Sequence, residues 1–295
     1  MKLIYFMIIL LMITCSSFQE EKKYPDMFAK LGQTKTVVFI HGLYVTPICW
    51  DGWKSEFEAK GYKAFAPAYP FVDADPTALR KRHPDAKLAS LDLKHVLQHY
   101  RDFIKTLPEK PILIGHSMGG LISQILLNEG LASGAIAIDS APPKGVVSQL
   151  TAAKHGLRFV LSAWPVISPF ASDSEPIFMD EDTFKTYFAN KLEESKMASE
   201  YAKQIIPASR KLPRRALTED SKIDFMKKRG PLLLLSGEDD RIIPASVVRI
   251  NFKEYEKDAG LTEYKEFKER SHYIIGEQGW KDVVTFTQDW IEKNR

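Results

Sequence analysis

Only two cysteines, Cys15 and Cys49, occur in 295 residues, so no disulfide framework can staple this chain and its fold has to rest on a buried core. Charge of one sign is lacking too. The 41 Lys and Arg face 38 Asp and Glu, a net charge of +3, which excludes the basic footprint of a nucleic-acid binder. No self-similar period runs through the sequence, which excludes a solenoid. No apolar run reaches the ~20 residues of a membrane-spanning helix. What is present is ordinary for a large α/β domain: 44% hydrophobic and 27% charged residues on a chain long enough to bury a substantial core.

The N-terminus differs in kind from the rest. Residues 1–14 place one lysine ahead of about a dozen apolar residues, the length of a signal-peptide core. Cys15 follows directly, trailed by Ser16 and Ser17, and this junction resembles a bacterial lipoprotein cleavage site, although Met12 and Thr14 stand where Leu and a small residue are usual. Residues 1–15 are therefore expected to be an export signal. Cys15 is the lipidation candidate that would hold the protein at a membrane, and without lipid the product would be periplasmic or secreted. The polar stretch 16–32 reads as a tether. Cys49, left without a partner, reads as a small buried hydrophobe.

Beyond the tether, strand-like and helix-like segments alternate. Thr36–Ile40 is β-branched and apolar, 50–60 is a helix closed by Gly61, and 62–66 is a strand ending in the loop 67–70. Apolar residues at helical spacing predict one amphipathic helix over 88–107. The apolar run 112–114 predicts a strand buried on both faces, followed by a helix carrying Leu121, Ile122, Ile125 and Leu126. Strands at 134–139, 231–237 and 263–268 and helices at 247–259 and Trp280–Lys293 complete the series. Such alternation predicts an α/β fold: a doubly wound, mostly parallel sheet with helices on both faces. The pattern is interrupted over 144–229, too long for a simple connection, which predicts an inserted helical cap between core segments 33–143 and 230–295. The first part of this cap is apolar and aromatic (Leu157, Phe159, Val160, Leu161, Trp164, Val166, Ile167, Phe170) and its second part, 181–206, is charged and helical. Basic clusters at Arg210-Lys211, Arg214-Arg215 and Lys227-Lys228-Arg229, interspersed with Glu219, Asp220 and Asp224, read as a solvated surface.

Between the strand at 112–114 and its helix lies Gly115-His116-Ser117-Met118-Gly119. A serine in a sharp strand-to-helix turn needs neighbours without a Cβ, and its hydroxyl is pushed clear of the sheet at the positive end of a helix. This Gly-x-Ser-x-Gly pattern, with His41-Gly42-Leu43 after the first strand, Asp240-Arg241-Ile242-Ile243-Pro244 after the fifth and His272 near the C-terminus, resembles the α/β-hydrolases. The resemblance implies Gly115 and Gly119 as the glycines of the nucleophile elbow, Ser117 as nucleophile, His272 as base, and Asp240 as acid. Glu238, Asp239 and Asp139 are its alternatives. It implies backbone N–H groups of Leu43 and Met118 as an oxyanion hole. His41 and His116 would then be supporting rather than catalytic.

Such a set acts through an acyl-enzyme, and the expected activity is that of a carboxylic-ester hydrolase acting on a small-molecule ester with an apolar group under the cap. Perhydrolase or haloperoxidase-like chemistry without a cofactor, and C–C or amide hydrolysis, are the alternatives on the same fold. A non-catalytic surface binding protein is the alternative of another class. Dehalogenases and epoxide hydrolases use an aspartate where this chain has Ser117. No cofactor, metal or nucleic-acid partner is expected. His95 and His99 stand four apart on a helix, but a third ligand and the Glu of a zinc protease motif are missing.

Overall fold

The computed structural model describes residues 30–146, 166–168, 170–255 and 260–295. The expected signal at 1–15, most of the tether, the cap residues Leu157, Phe159, Val160, Leu161 and Trp164, and the end of the helix expected at 247–259 lie outside the described residues. Among the described residues six strands form one sheet: β1 Thr36–Ile40, β2 Lys63–Phe65, β3 Ile112–His116, β4 Gly134–Ile138, β5 Leu232–Gly237 and β6 Thr262–Phe267. Their spatial order is β2-β1-β3-β4-β5-β6, and every neighbouring pair is parallel.

Because strand side chains alternate, each central strand feeds two cores. Val37 and Phe39, Ile112 and Ile114, Ile136 and Ile138, and Leu233 and Leu235 face one side. Val38 and Ile40, Leu113, Ala135 and Ala137, and Leu232 and Leu234 face the other. Helices cover both faces, as the alternation predicts. On the first side Phe39 meets Trp53 and Phe57 of α1 (Asp51–Ala59) edge-on. Behind the second side lie α4 (Leu93–Lys105) and α5 (Met118–Asn128).

The helix expected over 88–107 is two helices. α2 (Pro76–Lys81) precedes α3 (Ala86–Ser90), and α3 ends at Leu91, whose extended backbone leads into Asp92. There the Asp92 carboxylate accepts the His95 N–H at 3.0 Å and starts α4 afresh. Leu88, Leu91, Leu93 and Val96 are all buried on either side of the break, so apolar spacing carries no trace of it. Strand boundaries at β2 and β6 move by one residue from those expected.

Between β4 and β5 the described residues add no strand to the sheet. Glu181–Thr183 continues into a π-helical turn at Phe184–Phe188, followed by α6 (Glu194–Gln204) and the short helix Lys211–Arg215. Phe184, Phe188 and Ile205 join the core on the Phe39 side, while Leu212 and Ala216 join the other. Arg214, from the basic clusters, is turned inward. It pairs with Asp173 and donates to the carbonyls of Ser168 and Ala171. After β5 come α7 (Ala245–Glu254) and, following β6, α8 (Trp280–Lys293). In this order β1 sends its chain outward to β2 and the chain then returns to β3 on the other side. That reversal opens a crevice above the C-terminal ends of β1 and β3.

Candidate active site

Ser117 sits in that crevice, at the junction of β3 and α5. Its φ of 58° and ψ of −118° are held in a region that a non-glycine residue rarely adopts. The strain is fixed on both sides by β4 and the turn after it: the Ser117 N–H donates to the Ile138 carbonyl at 2.9 Å, and the Ala141 N–H donates to the Ser117 carbonyl at 3.0 Å. The flanking glycines are steric necessities. A Cβ on Gly115 would be driven into the Gly119 carbonyl, and one on Gly119 into the Ile40 carbonyl.

Residues far apart in the chain meet here. His272, in the loop after β6, brings Nε2 to 3.0 Å from Ser117 Oγ, and its Nδ1 lies 2.7 Å from Asp240 Oδ2. A carboxylate can only accept, so Nδ1 carries the proton and Nε2 is the free base facing the hydroxyl. Asp240 is itself held by two amides, since its Oδ1 accepts from Ile242 N–H at 2.7 Å and Ile243 N–H at 2.8 Å. All three residues are buried, and Ser117, 8% exposed, opens onto the cavity above. That cavity, of about 340 Å³, is lined by Ser117, His272, Leu43 and Met118 from the sheet side and by apolar residues such as Val166, Met179, Phe188 and Leu217 from the insertion. Met118 opens α5, so its N–H has no acceptor within the helix. Leu43 follows β1 on the same cavity wall.

The other expected residues fall outside this relay. Glu238 accepts from the Glu269 N–H at 3.2 Å, and Asp239 pairs with Lys191 at 2.8 Å. Asp139, which directly follows β4, is fully buried and accepts the Gly237 N–H at 2.8 Å. His41 donates from Nδ1 to the Gly42 carbonyl at 2.9 Å and accepts the Tyr69 N–H on Nε2 at 3.1 Å, which pins the loop bearing Leu43. Burial lowers its pKa to about 4 and keeps it neutral. His116 donates from Nε2 to the His272 carbonyl at 2.7 Å, with burial holding its pKa well below the usual imidazole range. Both histidines therefore support loops. His95 turns Nδ1 to Asp92 at 2.7 Å. Among the described residues, His116, Asp139 and His272 bring ligand atoms within 4.8 Å of one another. A cation there would have to take His272 away from Ser117 or Asp240, so the donor set does not suit a metal. Cys49 is a buried free thiol.

Sequence reasoning missed what holds the His272 loop. Glu277, itself buried, accepts the Ser271 N–H at 2.8 Å on one oxygen and the Ser271 hydroxyl on the other. The Tyr273 hydroxyl donates to Glu200 of α6 at 2.7 Å, and the Trp53 indole N–H of α1 donates to the Ile275 carbonyl at 3.0 Å. Phe188 packs edge-on against the His272 ring at 5.1 Å between centroids. Ser271 and Glu277 are six residues apart in an irregular loop, a spacing that matches no helical or strand period, and the remaining partners are distant in sequence.

Three similar structures share this architecture. The pyrethroid hydrolase of Sphingobium faniae JZ-2 superposes with a TM-score of 0.64 at 19% identity, over 87% of this chain and 97% of that one. The monoacylglycerol lipase of Paleococcus ferrophilus gives 0.61 at 18%, over 88% and 95%. Polyneuridine aldehyde esterase gives 0.61 at 17%, over 87% and 99%. No curated protein sequence matches the chain. The sequence model of the alpha/beta hydrolase family matches residues 37–286, spanning every strand but for the first residue of β1, and the chain belongs to that family.

Proposed function

We propose that this protein is a serine hydrolase of carboxylic esters, working through an acyl-enzyme on Ser117. The observation that carries this reading is the hydrogen-bonded relay Ser117–His272–Asp240 at the floor of an apolar cavity. An alcohol is a poor nucleophile at neutral pH, so Ser117 needs His272 Nε2 to take its proton as it attacks the ester carbonyl. The imidazolium formed is stabilised by Asp240, whose own position is fixed by the amides of Ile242 and Ile243. The N–H groups of Met118 and Leu43 receive the oxyanion, each worth roughly 3 kcal/mol in comparable sites. His272 then protonates the departing alcohol, and water activated by the same nitrogen hydrolyses the acyl-enzyme. The apolar wall favours substrates with an uncharged apolar acyl or alcohol group. Esterase and lipase structures among those of similar fold agree with this chemistry at the level of the fold.

The test is labelling by a fluorophosphonate probe with peptide mapping, together with a panel of p-nitrophenyl esters. Expected are a phosphonylated Ser117, turnover of the esters, and loss of both in Ser117→Ala with melting temperature unchanged. Folded protein that neither labels nor turns over any ester of the panel would overturn the reading.

A further inference from the structure

Behind the relay lies a second carboxyl that the mechanism leaves idle. Asp139 directly follows β4 with φ 43°, a left-handed conformation, and its side chain is fully buried. One of its oxygens accepts the Gly237 N–H; the other, Oδ2, meets no donor among the described residues. Among the described residues, four titratable side chains face it: Asp240 from the loop after β5, within hydrogen-bond reach, Glu277 and His272 from the loop after β6, and His116 from the end of β3. His116 donates from Nε2 to a carbonyl, so its neutral ring carries no proton on the otherwise unpartnered Nδ1, and both His272 nitrogens are committed to Ser117 and Asp240; none of these can donate to Oδ2 as they stand.

A bare carboxylate oxygen buried beside another carboxylate is doubly unfavourable, since it is desolvated without a donor and repelled by a like charge. One proton removes both costs. We propose that Asp139 is a neutral carboxylic acid that donates a hydrogen bond to Asp240, so that the acid of the relay is a carboxylic acid–carboxylate pair and Asp139 is a positioning residue for Asp240 and, through it, His272. Burial first, and the Asp240 charge second, hold the Asp139 carboxyl well above the usual carboxylate range, which agrees with this assignment. The pair shares one proton as two close carboxyls must, but the proton stays on Asp139 while Asp240 remains the acceptor for His272.

The role of the pair in turnover rests on the ester-hydrolase reading, whereas its proton does not, and the experiment separates the two. In protein carrying 13C-labelled aspartate, with Asp139 assigned through the backbone, its carboxyl resonance is expected at the protonated position at pH 7; an ionised position overturns the proposal. Asp139→Asn keeps a donor but cannot titrate, while Asp139→Ala removes the donor. The low-field resonance of the His272 Nδ1 proton is expected to shift in the alanine variant and to return in the asparagine variant. Equal shifts in both would overturn the positioning role. Denaturant unfolding gives a third readout. The folded state of the natural protein must keep a proton that the unfolded chain releases above the ordinary aspartate value, so its folding constant falls relative to that of Asp139→Asn by up to tenfold per pH unit between pH 5 and 7. A ratio independent of pH overturns the proposal even if no ester is ever turned over.

Discussion

A single atom at position 240 decides which tautomer His272 can adopt. Asp240 Oδ2 takes the Nδ1 proton, while Oδ1 holds the amides of Ile242 and Ile243. Asn at this position can keep its oxygen on the two amides, so the turn is preserved, but its NH2 then faces Nδ1 and forces the ring proton onto Nε2. The base toward Ser117 is lost. Asp240→Asn is expected to lower kcat by on the order of 10⁴ with an unchanged melting temperature, as measured by ester hydrolysis and thermal unfolding. A loss below about tenfold would mean that another acid, with Asp139 the nearest, serves His272. Ser117 and Asp240 were legible in the sequence because each follows a strand of the sheet and stands in a short local pattern: the glycines around Ser117, and the apolar pair and proline after Asp240. His272 has no such pattern and was found by order alone. Choosing Asp240 over Glu238 and Asp239 depends on where a turn points its side chains. Here Asp239 faces Lys191 and Glu238 the backbone of Glu269, a fact of tertiary geometry that adjacent acidic residues do not announce.

Among the elements, the loop between β6 and α8 has the most demanding task, because it must hold an imidazole to within a fraction of an ångström with no regular structure of its own. Glu277 gives it rigidity by closing the loop on Ser271, the residue before His272. Its removal leaves a buried N–H without an acceptor. Glu277→Ala is expected to cost about 1–3 kcal/mol in denaturant unfolding and to lower kcat by up to about 100-fold through displacement of His272, with KM little changed. Loss of stability with kcat intact would show that the clamp holds the fold and not the imidazole. The same element explains where sequence legibility ends. The central strands were readable as continuous apolar runs, because they are buried on both faces, and Trp280–Lys293 was readable because its buried residues recur at the helical period. The clamp has no period, and neither has the break between α3 and α4, where both helices bury leucines on one continuous stripe and only the Asp92 side chain marks the restart.

At the scale of the whole molecule, the proposed reading draws chemistry and selectivity from different parts of the chain. The relay is built from loops that follow β3, β5 and β6, while much of the wall above it comes from the residues between β4 and β5. The connection between the two is firm: Tyr273, beside His272, is bonded to Glu200 of α6, and Phe188 rests on the His272 ring. Selectivity should therefore be changeable without disturbing the relay, provided the altered residue lies on the wall and touches neither His272 nor its supports. Leu217 lies on the wall and takes no part in the hydrogen bonds and ring contacts described above for His272 and its supports. It lines the cavity and follows the short helix Lys211–Arg215, with its N–H bonded to the Arg214 carbonyl. Filling part of the cavity with Leu217→Trp should exclude the distal methylenes of long acyl chains and leave short ones unaffected. Each methylene kept from an apolar wall forfeits about 0.8 kcal/mol, or roughly fourfold in kcat/KM. Across p-nitrophenyl esters of rising length, the variant is expected to match the natural protein on acetate and to fall behind it by about fourfold for each added methylene beyond the new limit. A uniform loss at every length would instead place Leu217 among the supports of the relay.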